Sequence, residues 1–446
     1  MKMNSFSRVG FILAAAGSAV GLGNIWRFPY ITGEYGGGAF ILVYLLAILF
    51  IGLTVFLAEA VIGQSGQSDV STSFVSLSKS KNKNWKFAGF MVATGLIILS
   101  FYSVVLGWIL DYVITSFGTL PTEAKVAGGN FENLITNDIG SLIVYHTLIA
   151  GSVIFIVLKG IKEGIEKINL ILMPLLGLIL FGLLMYAFTL DSFSQAVSFM
   201  FTPDFSKIDG DALLAALGQA FFTLSLGVGT ILTYSASLPK EANFVKSSFM
   251  VAIVDTSIAL IAGLIIFTYL FAAGAQSAAG PGLVFISLPV IFSGWGTLGN
   301  VIAVSFFLAL IFAGITSAVS MIEPSLRFFI ERFKMTRQKA TILCGATFYI
   351  LGIVALLSMS KSFGAELTFF GKNAFDIMDF MSSSIMMPIA AIIICIFLGY
   401  FVDKELLEQK FTKHTSSAVF HTWYLLIRYV VPIAIIILFL NKLGAI

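Results

Sequence analysis

The sequence predicts an all-α polytopic membrane protein of eleven transmembrane helices, arranged as a 5+5 inverted repeat in which helices 1 and 6 are interrupted. Three observations carry that prediction: the bulk composition, the number of long apolar runs, and glycine-rich breaks inside two of them. Of 446 residues, 58% are apolar and only 11% charged, and the mean hydropathy is +0.99; a soluble domain carries about 25% charged residues. Water is therefore not the solvent for most of this chain. A net charge of +3, scattered along the sequence, gives no nucleic-acid partner.

A spanning helix needs roughly 20 mostly apolar residues. Runs of that kind fall near 8–31, 37–62, 88–118, 139–158, 165–188, 212–236, 247–273, 299–326, 340–358, 374–401 and 422–441, numbered spans 1 to 11 in that order. An odd number of spans puts the termini on opposite sides. With a cytoplasmic N-terminus, nineteen of the 26 basic residues fall inside, and only Lys125, Lys207, Lys361, Lys372 and Lys442 fall outside, with Arg27 and Arg428 within spans. That bias predicts a cell inner-membrane protein with its N-terminus cytoplasmic and its C-terminus extracytoplasmic. Residues 1–19 imitate a signal peptide, but the apolar run continues into Arg27 without the polar mature sequence that cleavage requires. Cys344 and Cys395 both sit in apolar runs and imply no disulfide framework. The uncharged stretch 274–298 either dips back as a cap or forms an ordinary apolar external hairpin.

The first break lies in "AAAGSAVGLGNIWRFPY", residues 14–30, with Gly17, Gly21 and Gly23 inside a span. Glycine costs about 1 kcal/mol in a helix interior relative to alanine, so this stretch is easy to unwind. The second lies in "FFTLSLGVGTILTY", residues 221–234, where Gly227 and Gly229 follow Thr223 and Ser225. Backbone groups freed in lipid cost several kcal/mol each, so a break persists only where something polar occupies it. Close packing through small residues explains one glycine pair. Two interruptions, at the start of each of two five-span halves, have the layout of a transporter whose site lies at the midplane. Each break exposes a partially negative helix C-terminus and a partially positive N-terminus; cations settle on the first and a carboxylate on the second.

The motifs "GSAVGLGNIWRFPY", "GGGAF", "GQAFFTLSLGVG" and "FAGITSAVSMIEP" closely resemble the neurotransmitter:sodium symporter family over about residues 8–398. The resemblance implies a LeuT-like fold in one transmembrane transporter domain spanning 1–446, with repeat 1 at about 8–188, repeat 2 at about 212–401 and helix 11 at about 422–441. It implies amino-acid substrate, sodium ions (two of them) as coupling ions, membrane lipid as surroundings and no organic cofactor. One sodium site takes the carbonyl of Ala19, Asn24, Thr223 and Asp255, together with the substrate carboxylate. The second takes carbonyls of Gly17, Val20 and Ala313 and hydroxyls of Thr316 and Ser317; those hydroxyls read equally well as ordinary i−4 bonding within a helix. The substrate pocket takes Ser18, Ala19, Gly21, Gly23, Ile98, Tyr102, Phe222, Ser225, Gly227, Val228, Ser317, Ala318 and Met321. Tyr102 bonds the carboxylate and, with Phe222, forms a lid; without the resemblance it reads as core packing.

Asp255 departs from the family pattern, which usually has Asn there, and Ala259 stands where chloride-dependent members carry Ser. A mid-span aspartate is costly and functional by default; here it reads as a built-in substitute for chloride, against a structural alternative of a protonated Asp bonded to a neighbouring helix. The outer gate comprises Arg27 and Asp379, paired directly or through water, with Gln219 nearby; Arg27 could otherwise snorkel to the interface. The inner gate resembles the family less: Lys2 would face Glu331, Ser5 replaces a Trp beside Phe6, and Ser237 replaces another aromatic. Gly164 and Pro174 enclose nine residues, a spacing the family uses to unwind the inner end of span 5. Glu59 is expected to accept backbone amides near the start of span 6.

Three functions compete on this reading. They are sodium-coupled symport of neutral, hydrophobic or aromatic L-amino acids by alternating access, a proton-coupled transporter of the same fold, and a membrane enzyme or channel. Against an enzyme, His146, His414 and His421 are far apart, and no HExxH, GxSxG or paired-Cys motif occurs. The sequence leaves the preferred amino acid and the oligomeric state open.

Overall fold

The computed structural model describes residues 6–274 and 282–444, and the strands among them are one antiparallel pair, Thr368–Phe369 with Lys372–Asn373. Among the described residues nine helices are long and apolar enough to cross a membrane: Gly38–Gly66, Lys83–Thr115, Ile139–Leu158, Ile161–Ala187, Phe244–Ala272, Gly296–Phe333, Arg337–Ser358, Ala374–Phe401 and Ser417–Lys442. They correspond to spans 2 to 5 and 7 to 11. A tenth is a bent pair, Arg8–Ala19 and Gly23–Glu34, whose halves differ in direction by 51°. Span 6 is present as two pieces, Gly210–Thr223 and Thr230–Ser235, the second too short to qualify alone. Among the described residues up to ten spans thus stand by length and composition, and the two pieces of span 6 lie where the remaining one is expected.

Both breaks form as local chemistry dictates. The first half of span 1 ends at Ala19 because Val20 turns to extended backbone (φ −69°, ψ 109°). The chain re-enters a helix through a wide turn, Gly23–Arg27. Pro29 then falls in the first turn of Phe28–Glu34, where a missing N–H costs nothing. In span 6 the chain passes through Ser225 (φ 52°), Gly227 (φ 77°) and Gly229 (φ 80°). A Cβ on Gly227 would also stand 2.5 Å from the carbonyl oxygen of Met387, so that position excludes every other residue type.

Spans 3 and 8 form the interior, buried over 72% and 67% of their apolar windows, whereas spans 5 and 11 are buried over only 28%. Spans 1, 5 and 6 pack against span 8. Span 8 runs to 38 residues, well past the expected 299–326, and its last turns carry an ion pair at positions 327 and 331.

One expectation meets a different outcome, and one open alternative is decided. The Gly164–Pro174 segment is not unwound: Ile161–Glu166 is a π-helical turn leading into Lys167–Ala187, with Pro174 inside the helix. The Glu166 carboxylate accepts the Ser7 hydroxyl at 2.5 Å and the Ser7 N–H at 3.4 Å, which ties this segment to the start of span 1. The described part of 274–298 is a cap and not a free hairpin. Leu283, Val284, Phe285 and Leu288 are buried. The Phe285 ring stacks on Phe131 at 4.9 Å and its carbonyl accepts the Tyr112 hydroxyl at 2.8 Å. Residues 275–281 lie outside the described residues.

Candidate ion and substrate site

The two breaks meet beside span 8, and side-chain hydroxyls take up the carbonyls that the end of the first half-helix leaves free. Ser225 Oγ donates to the Ser18 carbonyl at 2.8 Å. Ser317 Oγ lies 3.0 Å from both the Gly17 and Val20 carbonyls, and Ser320 Oγ donates to Ser18 Oγ at 2.8 Å. Glu59, fully buried on span 2, accepts the Gly227 N–H at 2.7 Å and the Leu232 N–H at 3.4 Å. It therefore caps the second half of span 6 at the break itself, further along than the sequence reading placed it.

Two oxygen clusters flank the break in span 1. In the first, Asp255 accepts Asn24 Nδ2 at 2.8 Å and Thr223 Oγ1 at 3.0 and 3.1 Å, and all three residues are buried. Asn24 Oδ1 in turn accepts the Gly21 N–H at 3.0 Å. Ala19 is the last residue of the first half-helix, beside this cluster. In the second, Thr316 Oγ1 donates to the Ala313 carbonyl at 2.9 Å and the Phe312 carbonyl at 3.1 Å. The neighbouring Ser317 hydroxyl reaches the carbonyls of Gly17 and Val20. One cluster carries a carboxylate and the other only neutral oxygens, donor sets suited to hard cations.

Between them is a pocket lined by Ser18, Ala19, Gly23, Ile98, Tyr102, Phe222, Ser225, Val228, Ser317 and Met321, all expected from the sequence. Gly21 adjoins it, since a Cβ there would meet Ser317 Oγ at 2.8 Å and Tyr102 Oη at 3.2 Å. Gly227 and Ala318 do not line it: Gly227 faces Glu59 and Met387, and Ala318 is enclosed within span 8. Leu22 and Met387 do line it and were missed, as was the contribution of Thr223 to the pocket wall. Nothing in the local pattern of "SIMMPIAA" marks Met387 as different from its apolar neighbours. The buried Tyr102 hydroxyl lies near Ser317 and the Leu22 backbone without a well-formed hydrogen bond to either.

Above Tyr102 and Phe222 a cavity of about 360 Å³ opens, lined by Arg27, Tyr30, Asp379 and Lys442 among others. Arg27 does not snorkel away. It donates to Gln219 Oε1 at 2.8 Å and lies over the Phe222 ring at 5.2 Å. Gln219 holds the Gly23 carbonyl at 2.9 Å. Arg27 and Asp379 line this cavity together, and none of the ion pairs among the described residues joins them. The opposite end is closed. Arg327 Nε donates to Glu331 at 2.8 Å, and its other nitrogens donate to Thr233 O, Ser237 Oγ and Gln67 O at 3.0 to 3.2 Å. Glu331 also accepts Ser68 Oγ and the Asp69 N–H. Its expected partner Lys2 lies outside the described residues; an arginine one helical turn away on the same span holds it, and only the i,i+4 spacing signalled that pair. Phe6 packs on Tyr234 at 5.2 Å beside this cluster.

Broken helices around a buried pocket, with a cavity at one end and a hydrogen-bonded network at the other, are an arrangement suited to a multi-pass membrane transporter. The chain belongs to the sodium:neurotransmitter symporter family, whose model matches residues 3–133 and 130–446. It is 36% identical over 443 residues to YhdH, an uncharacterised sodium-dependent transporter of Bacillus subtilis (strain 168), covering 98% of this chain and 97% of that protein. A second uncharacterised sodium-dependent transporter, from Haemophilus influenzae, is 34% identical over 448 residues, covering 98% and 97%. Among solved structures, MhsT in complex with L-phenylalanine is 42% identical, with a TM-score of 0.88 over 99% of this chain and 100% of that one.

Proposed function

We propose that this protein is a sodium-coupled symporter of neutral, hydrophobic or aromatic L-amino acids that works by alternating access between spans 1–5 and 6–10. The observation that carries this is the pocket between the two breaks: its walls, Ile98, Phe222, Val228, Met321 and Met387, are apolar, and no charged side chain lines it. A charged substrate side chain would have no partner there, while each buried methylene contributes about 0.8 kcal/mol. The phenylalanine bound to the 42% identical MhsT supports the same substrate class.

The substrate carboxylate meets the N-terminal end of the second half of span 1, with its freed amides and the unsatisfied Tyr102 hydroxyl. One sodium sits among Ala19, Asn24, Thr223 and Asp255 beside that carboxylate, and Asp255 supplies the negative charge that chloride provides elsewhere. A second sits among Gly17, Val20, Ala313, Thr316 and Ser317. The cavity at Arg27 and Asp379 faces outward and the Arg327–Glu331 end faces the cytoplasm, in an inner membrane with the N-terminus inside. Closure of Tyr102 and Phe222 over the substrate brings Arg27 toward Asp379 and frees the Arg327 end to open.

The test is uptake of radiolabelled phenylalanine into proteoliposomes under an inward sodium gradient at fixed pH, with competition by all twenty amino acids. Concentrative uptake competed by large neutral amino acids is expected. Uptake that follows a proton gradient and ignores sodium would replace this reading with the proton-coupled one, and competition by glycine alone would refute the substrate class.

A further inference from the structure

One buried polar group near the second oxygen cluster has no role in the site as built so far. Asn169 stands in the first turn of Lys167–Ala187 on span 5 and is fully buried. Its Nδ2 donates to the Ile165 carbonyl at 2.8 Å, which fixes the amide so that Oδ1 is the free end. That oxygen has no hydrogen-bond partner. It is aimed at Gly17: a Cβ built there would collide with Asn169 Oδ1, and the next atom in its way, at 3.0 Å, is Thr316 Cβ. Asn169 and Thr316 thus converge on the same side of the same glycine, beside the carbonyls that Ser317 gathers.

A buried amide oxygen without a partner costs about 1–3 kcal/mol, and such a cost persists where a ligand offsets it. The available ligand chemistry is narrow. The neighbouring groups are carbonyls and hydroxyls whose protons are already committed to other acceptors, so a hydrogen-bond donor is not at hand and a cation is the species that suits every oxygen present. We infer that Asn169 Oδ1 is a further ligand of the second sodium ion, supplied by span 5, so that this site is built from spans 1, 5 and 8 together.

The inference rests on the second sodium site proposed above and adds a consequence for release. Asn169 lies midway between Gly164 and Pro174, in the segment that Glu166 ties to Ser7. With the ion bound, the helical form of this segment is held at two places; when the segment unwinds, the ion loses one oxygen and gains a route out past it.

The experiment measures the sodium concentration for half-maximal phenylalanine binding, with choline as replacement cation, in wild type, Asn169→Leu, Asn169→Asp and Thr316→Val, alongside thermal stability with and without sodium. Asn169→Leu should raise the sodium requirement about tenfold, as expected for losing one oxygen contact to a charged group. It should also reduce the stabilisation that sodium confers, and Asn169→Asp should restore both. If Asn169→Leu lowers stability equally in sodium and choline and leaves the sodium requirement unchanged, Asn169 is a packing residue and the inference is wrong. If Thr316→Val raises the sodium requirement and Asn169→Leu does not, only this inference fails. If Thr316→Val has no effect either, the second sodium site itself is misplaced and the inference falls with it.

Discussion

Replacing Asp255 by Asn probes the first ion cluster with almost no change of shape. In the structure both carboxylate oxygens are in use, Oδ1 by Asn24 Nδ2 at 2.8 Å and by Thr223 Oγ1 at 3.1 Å, and Oδ2 by Thr223 Oγ1 at 3.0 Å. An amide keeps one of these oxygens and turns the other into a donor, so at least one charge-assisted bond, about 1.5–3 kcal/mol, is lost. A sodium ion there also loses its anionic neighbour. Two unit charges about 4 Å apart at an effective dielectric of 20 attract by about 4 kcal/mol, and part of this is returned because the neutral side chain is cheaper to bury without the ion. The expected net weakening of sodium binding is about 1.5–3 kcal/mol, or roughly ten- to a hundredfold. Sodium titration of radiolabelled phenylalanine binding, in chloride and in gluconate media, reads this directly. Wild type should behave alike in both anions, and Asp255→Asn should be impaired in gluconate, with any recovery confined to chloride. A wild type that fails in gluconate, or a variant whose sodium requirement in gluconate stays within twofold of wild type, would refute the assignment.

Glu59→Ala leaves the N–H groups of Gly227 and Leu232 without acceptors; at about 1–3 kcal/mol each it should lower thermal stability clearly and weaken substrate binding, and an unchanged melting temperature would show that the break is held by other contacts. Val228→Phe should shift preference toward smaller aliphatic amino acids: Val228 is buried and lines the pocket, so a ring there takes up pocket volume, and phenylalanine that still binds as in wild type in competition assays would count against this. Asp379→Ala should impair occlusion and concentrative uptake while leaving sodium affinity near wild type; loss of sodium binding with intact transport would remove Asp379 from the gate.

Where the sequence alone succeeded, the signal was local or periodic. Long apolar runs have one solution in lipid, a helix with every backbone bond satisfied internally, so ten spans stand where the hydropathy put them. Glycine spacing announced the breaks, because the cost of helical glycine is paid residue by residue, and the long motif in span 1 brought the family and most pocket residues with it. What the sequence could not contain is which side chains from distant spans meet. Met387 reaches the pocket from span 10, Glu331 is held by Arg327 one turn away on span 8, and Asn169 on span 5 aims its oxygen at Gly17 on span 1. Each looks ordinary in its own stretch of chain. The helical continuity of span 5 and the partner that Arg27 takes were equally out of reach, because both depend on how distant helices pack. Hydropathy and backbone propensity act within a few residues, whereas helix rotation and packing set which faces converge, and only the assembled bundle decides those.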